Sequence, residues 1–192
     1  MIVTRHREIG DRCRVMRLHG ISQDAFDRYT ATRPAWQYEV IAPGYKYNMT
    51  DLAASLGIHQ LAKSYRFQTR RKAIAAYYSS SFKDLPLTLP PGGPEGEAHS
   101  WHLFVVRLSD ESGLSRDLFI QEMADRGIGC SVHFIPLHVH PYWRDRYALR
   151  PEDFPSALAA FRSAVSLPIY TKLTDEDIER VASTVRAVLG RA

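Results

Sequence analysis

Gly44-Tyr-Lys-Tyr-Asn-Met-Thr50-Asp-Leu-Ala-Ala-Ser-Leu-Gly57-Ile-His-Gln-Leu-Ala-Lys63 is the stretch whose reading decides the fold. Pro43 and Gly44 break whatever precedes them. Thr50 is a good helix N-cap, and Asp51 suits the positive end of the helix dipole. Leu52, Ala53, Leu56 and Gln60-Leu61 recur at helical spacing, while Ala54 and Gly57 leave room for close packing. The turn before the helix gathers Tyr45, Lys46, Tyr47 and Asn48. Lys46 supplies charge and Asn48 directional donors, so the turn can grip an anion. The two tyrosines offer faces to a planar or sugar-like group. The plainer reading is a helix entry whose tyrosines pack and whose Lys46 is solvated.

Composition sets the outer bounds. With 192 residues, 45% hydrophobic and 24% charged, the chain can bury a core as one large domain or two small ones. No apolar run reaches membrane-spanning length, and Met1-Ile-Val-Thr4 runs straight into Arg5, His6 and Arg7, unlike a signal or transit peptide. Cys13 and Cys130 are far apart and lack spaced partners, which disfavours a disulfide framework or zinc ribbon and fits a reducing cytoplasm. The net charge of +4 is mild. It is partly concentrated at Lys63, Arg66, Arg70, Arg71 and Lys72. Phe67, Ile74, Tyr78 and Phe82 form an inward stripe on the same helix, so those charges read as its solvated face rather than a nucleic-acid contact.

Taken in order, Ile2-Val3-Thr4 reads as a strand without a neighbour and residues 7–19 as a helix capped by Gly20. Two helices are expected over about 51–62 and 65–82, and Pro90-Pro-Gly-Gly-Pro94 is a turn-rich connector. These breaks divide the chain into residues 1–83 and a small domain over 84–192. In the latter, strands are expected at Trp101–Leu108, Ile128–Ile135 and Val165–Leu167. Ser115 caps a helix ending at Gly127, residues 137–153 form a loop with one helical turn, and Phe154–Ala164 is helical. Thr174 and Asp177 make a capping box for a last helix with Ile178, Val181, Val185 and Leu189 inward. This alternation predicts an α/β or α+β domain.

The richest cluster of side chains is His133-Phe-Ile-Pro-Leu-His138-Val-His140 near Cys130. A third histidine could complete a zinc site with His138 and His140, but no Asp or Glu stands nearby to orient them, and Pro136 and Pro141 interrupt the geometry. Histidines packed among aromatics, with one of them touching a ligand, fit the pattern better; no metal is expected. There is no G-x-S-x-G elbow, and the only paired glycines, Gly92-Gly93, sit among prolines rather than in a phosphate loop.

Several segments together resemble the DegT/DnrJ/EryC1/StrS group of sugar aminotransferases. They are Met1–Thr4, Arg17–Gly20, Tyr38-Glu-Val, Pro43–Asp51, Leu56-Gly, Gln60-Leu61, Arg70-Arg71, His102–Arg107, Arg126–Gly129, Val132–Pro136 and Ser166–Pro168. The likeness is collinear over nearly the whole chain. It implies an α/β fold corresponding to the C-terminal portion of a fold-type I pyridoxal-phosphate transferase: an orphan large-domain strand, interface helices, then the small domain. It also implies transfer of an amino group from glutamate to a nucleotide-linked keto-sugar, in surface polysaccharide or sugar biosynthesis.

The resemblance matches about the second half of a family member. The lysine that forms a Schiff base with the cofactor belongs just upstream of the strand matching Ile2–Thr4, so this chain is expected to hold no catalytic residue and to be inactive alone. Pyridoxal 5'-phosphate would be shared with the N-terminal half or a partner subunit. In the family the Gly44–Thr50 turn reaches across a dimer interface towards the cofactor phosphate, which assigns Lys46 and Asn48 to the cofactor. Many members carry asparagine at the position of Lys46 and arginine at that of Asn48, so which of the two makes the contact stays open. Substrate contacts are assigned to Arg33, Tyr45, Tyr47, His133, Phe134 and His138. The partners implied are a nucleotide sugar, glutamate, and a second copy or a complementing N-terminal half, with no nucleic acid and no membrane. A non-catalytic split or degenerate homologue that binds ligands or a full-length partner is the alternative; a small basic nucleic-acid-binding protein is a weaker one.

Overall fold

The structure, a computed structural model, describes residues 2–22 and 38–190. The chain forms two compact units, Met1–Ala62 and Lys63–Ala192.

In the first unit, Ile2–Thr4 forms no strand, for it has no β partner among the described residues and a lone strand leaves its ladder groups unpaired. Helix α1 spans Arg7–Met16, with Glu8 in its first turn and Asp11 paired to both Arg7 and Arg14. It stops before the expected Gly20 because the Met16 carbonyl accepts from Tyr45 N at 2.7 Å. The chain then turns through His19 and Gly20, both at positive φ.

Helix α2 runs unbroken over Asp51–Ser81, where two helices were expected. No Pro or Gly lies between Gly57 and Ser81 to end it. Thr50 caps it as anticipated, its Oγ1 accepting from Ala53 N at 3.3 Å. Leu52, Leu56 and Leu61 are largely exposed, and nothing stands within 4 Å of a Cβ built on Gly57. The helical spacing therefore marks the helix, while the apolar side chains of its first turns stay largely exposed.

The second unit is built on the C-terminal part of α2, whose Ile74, Ala75 and Tyr78, with Phe82 beyond, are buried. They pack with an antiparallel sheet of order β1-β2-β3: Leu87–Thr88, Phe104–Leu108 and Ala164–Leu167. In β2, Phe104, Val106 and Leu108 are buried while Arg107 faces solvent, the period-two pattern of a strand with one covered face. β2 starts later than expected because Trp101 takes φ 47°, outside the strand region. The strand expected over Ile128–Ile135 shrinks to a single bridge, Ser131 with Ser166. Pro136 has no N–H with which to extend such a ladder.

Helix α3 (Arg116–Asp125) opens at Ser115, whose Oγ accepts from Leu118 N at 3.2 Å. Between Pro136 and Phe154 the chain makes two 3-10 turns, Leu137–Val139 and Pro151–Asp153, around helix α4 (Pro141–Tyr147), so it is more ordered than the single turn expected. Helix α5 covers Pro155–Ser163. Helix α6 (Asp175–Leu189) starts with the Thr174–Asp177 capping box and buries Ile178, Val181, Val185 and Leu189. Each such side chain contributes roughly 1.5–3 kcal/mol of burial.

Charged side chains fasten these elements. The Arg71 Nη1 donates to the carbonyls of Trp101, His102 and Ile169 at 2.8, 3.0 and 3.2 Å. Arg70 donates to the Leu173 carbonyl and pairs with Asp175 at 2.7 Å. These two arginines are thus not on a solvated face as the sequence suggests, whereas Lys63, Arg66 and Lys72 are exposed. Arg186 forms a two-pronged pair with Asp84, 2.8 Å on each arm.

That hydrogen-bonded guanidinium holds the Asp84 carboxyl down to about 2. A carboxylate whose folded value is depressed adds stability above its unfolded value, near 3.9, and loses it as pH falls towards the folded one. Urea unfolding should therefore show Asp84→Asn less stable than the parent at pH 7, with the gap closing between about pH 4 and about pH 2. A gap independent of pH would remove the ion pair from the acid sensitivity.

Candidate functional site

The first unit presents the aromatic turn on a tightly crossed scaffold. Residues 16–22 run against 39–47, with bridges Leu18–Lys46 and Ile21–Val40. His19 N donates to Tyr45 O at 2.9 Å, Tyr47 N to Arg17 O at 2.8 Å, and Ile41 N to Gly20 O at 2.9 Å. Where the segments cross, side chains have no room. A Cβ on Gly20 would stand 1.7 Å from the Ala42 carbonyl oxygen, and one on Gly44 would stand 2.0 Å from Gly20 N. Gly20 also sits at φ 74°. Both glycines are dictated by close backbone approach.

This frame holds the turn extended. The rings of Tyr45 and Tyr47 stack with centroids 5.1 Å apart and planes within 6°, as residues two apart on one strand face do. The same period sends Lys46 and Asn48 to the other side. Lys46 is exposed and Asn48 half-buried, and neither side chain has a hydrogen bond or ion pair among the described residues. An ammonium and an amide free to donate on one side of a rigid turn are chemically suited to a phosphate. The same set is poorly suited to a covalent cofactor link. A lysine nucleophile needs its ammonium destabilised, commonly by burial, and all five lysines (Lys46, Lys63, Lys72, Lys83 and Lys172) are exposed.

In the second unit, the bridge between Ser131 and Ser166 carries His133 to the edge of β3. Its Nδ1 lies 2.8 Å from the Ser166 hydroxyl, and Ser166 is itself buried in β3. With Nδ1 engaged, the ring is oriented and Nε2 remains for a ligand. Phe134 stands edge-on to the imidazole at 4.8 Å and is mostly exposed, so it offers an open apolar face. His138 is different. It is buried against Phe154, ring centroids 4.7 Å apart, and its Nε2 has no hydrogen-bond partner among the described residues. Nearby, burial pushes the Cys130 thiol up to about 11, away from nucleophilic use at neutral pH. Among the described residues, no three His, Cys, Asp or Glu side chains converge as a metal-ligand set.

Arg33 lies outside the described residues. Ser166 is the contact that sequence reasoning misses. The signal was a hydroxyl between Val165 and Leu167 in an otherwise apolar strand, where a buried polar group must find a partner.

The turn of the first unit thus offers donors suited to an anion, and the second unit by itself offers an oriented histidine at a strand edge. The model of the DegT/DnrJ/EryC1/StrS aminotransferase family matches residues 1–186, and the chain belongs to that family. It is 39% identical over 191 residues to the spore coat polysaccharide biosynthesis protein SpsC of Bacillus subtilis, covering 98% of this chain and 49% of SpsC. It is 42% identical over 190 residues to protein MJ1066 of Methanocaldococcus jannaschii, with 98% and 49% covered. Its structure resembles a Streptococcus pneumoniae sugar aminotransferase in its PMP form with TM-score 0.81 and 32% identity, over 96% of this chain and 46% of that one. The PLP form of the same protein gives TM-score 0.80. The chain spans about half the length of the relatives it matches, and its α/β fold is that of part of a sugar aminotransferase.

The glycine crossing makes the turn testable. Gly44→Ala or Gly20→Ala should cost at least about 2 kcal/mol, the strain of a forced backbone. In native-state amide exchange, the His19, Ile41, Tyr45 and Tyr47 amides should then exchange roughly 30-fold faster, at 1.4 kcal/mol per tenfold. Unchanged protection of these four amides would refute the crossing.

Proposed function

We propose that this chain is the C-terminal portion of a pyridoxal-phosphate-dependent aminotransferase that moves an amino group from glutamate to a nucleotide-linked keto-sugar, and that it is inactive alone. The observation that carries this reading is the family match over residues 1–186 in a chain whose five lysines are all exposed. SpsC, named for spore coat polysaccharide biosynthesis, and the pneumococcal sugar aminotransferase support the substrate class and a role in polysaccharide or sugar biosynthesis.

The cofactor, when bound, supplies an electron-withdrawing ring that lets the amino group be carried between donor and acceptor. This chain's own residues bind and orient. Lys46 and Asn48 donate to the cofactor phosphate from the far side of the turn that bears Tyr45 and Tyr47. In the first unit those two rings offer faces to a sugar nucleotide. In the second unit, taken by itself, Phe134 offers an apolar face and His133, held by Ser166, offers Nε2 to a polar group of such a ligand.

The exposed apolar side chains Leu52, Leu56, Ile58, Leu61 and Tyr65 on α2 support a covering partner, either a second copy or a complementing N-terminal half. Among the described residues no helix is long and apolar enough to cross a membrane, and both cysteines are free thiols; we place the chain in the cytoplasm.

The test is borohydride reduction after loading with pyridoxal 5'-phosphate, followed by peptide mass spectrometry. With the chain alone, no stoichiometric adduct should form on any of the five lysines, and no amino transfer should be seen. With an N-terminal half of a family member added, the adduct should appear on a lysine of that half, and turnover with it. An adduct on this chain accompanied by turnover would overturn the assignment. If the chain neither binds cofactor nor complements any such half, the non-catalytic binding role replaces the enzymatic one.

A further inference from the structure

Beyond the turn and the His133 loop, the second unit carries a cleft of about 800 Å³, within the 300–1,000 Å³ range of small-molecule sites. Its floor is the solvent face of the sheet, where Arg107 stands between its register partners Thr88 and Ala164. One wall is the Ser109–Ser115 turn with the first residue of α3, Arg116; the other is the last turn of α5 with Arg162. Three arginines thus line one cleft, against a single acidic residue, Asp110.

The three arginines are not equivalent. Arg116 is fixed: Nε donates to Asp117 at 2.6 Å, Nη1 to the Phe161 carbonyl at 2.8 Å, and its guanidinium lies over the Phe161 ring at 4.8 Å. Its Nη2 has no partner among the described residues. Arg107 and Arg162 are exposed and have no ion pair or hydrogen bond among the described residues. The hydroxyls of Ser109 and Ser163 are already committed to backbone carbonyls, which leaves the guanidinium groups as the charged donors, with the Thr88 and Ser115 hydroxyls beside them. Leu108, Leu114 and Ala159 add an apolar side to the same space.

We propose that this cleft binds a small molecule bearing a diphosphate, with Arg107 and Arg162 gripping the phosphate oxygens and the apolar wall taking the body attached to them. Two unpaired forks fit phosphate oxygens in the two-pronged geometry that makes arginine, rather than lysine, the usual choice for phosphate. Arg116, locked in place, contributes field more than contact.

Calorimetric titration of the full chain with pyrophosphate, uridine diphosphate and uridine, with backbone amide shifts to locate the contact, tests the site. Pyrophosphate and uridine diphosphate should bind, uridine should not, and the shifted amides should be those of residues 107–116 and 159–163. Arg107→Gln and Arg162→Gln should each weaken binding, and the pair together by at least tenfold, with thermal midpoints unchanged because both side chains are exposed. Arg146→Gln, on α4 and outside the cleft, should leave binding as in the parent. No binding at millimolar pyrophosphate, shifts confined to other residues, equal binding of uridine, or equal weakening by Arg146→Gln would each overturn the proposal.

Discussion

The Arg71 guanidinium is the fastening on which the second unit depends. One nitrogen meets the carbonyls of Trp101 and His102, which lead into β2, and of Ile169, which follows β3. Those carbonyls lie beyond the sheet ladder and would otherwise need water. Two turns further along α2, Tyr78 repeats the device. Its hydroxyl donates to Pro168 O at 3.0 Å, and burial, with smaller effects from Tyr170, Cys130 and Asp177, raises its pKa well above the ordinary phenol value. The phenol therefore keeps its proton, and its role as donor, further into the alkaline range than an exposed tyrosine would. Ile74, Phe82, Phe104 and Val165 then pack around a helix whose height and rotation are already set.

The site groups inherit their rigidity from such contacts rather than from their own side chains. The stacked pair Tyr45 and Tyr47 is held by backbone bonds to residues 17 and 19, and both rings are largely exposed. His133 sits in a loop, yet a buried hydroxyl on β3 fixes one face of its ring. Both arrangements put exposed, ligand-ready groups on backbone that cannot drift, which is what binding without a large ordering cost requires.

What was legible in the sequence is what local physics decides. The Ser115 cap, the Thr174–Asp177 box and the inward stripe of α6 are set by residues within a few positions of one another, and all appear as expected. The illegible parts depend on distant partners. The two-residue β1 exists only because Leu87 and Thr88 meet Leu108 and Arg107 across the connector. The expected strand at 128–135 and the orphan at 2–4 failed for the converse reason, since pairing is not a property of the segment. Arg70 and Arg71 looked like surface charge because carbonyls about thirty and one hundred positions away were invisible to a local reading. For the site, the collinear motifs pointed to the turn and to His133, but the Ser166 hydroxyl that orients the imidazole could only be found in three dimensions.

The crossing of Gly20 and Gly44 also shapes how this segment can change over time. Each glycine is required by the backbone around the other: Gly44 packs on Gly20 N, and Gly20 on the carbonyl of Ala42. Once either is replaced and the crossing opens, the penalty for replacing the other largely disappears, so the two substitutions are coupled and their costs will not add. The pair is one physical unit, and with its loss goes the posture of every side chain from Tyr45 to Asn48.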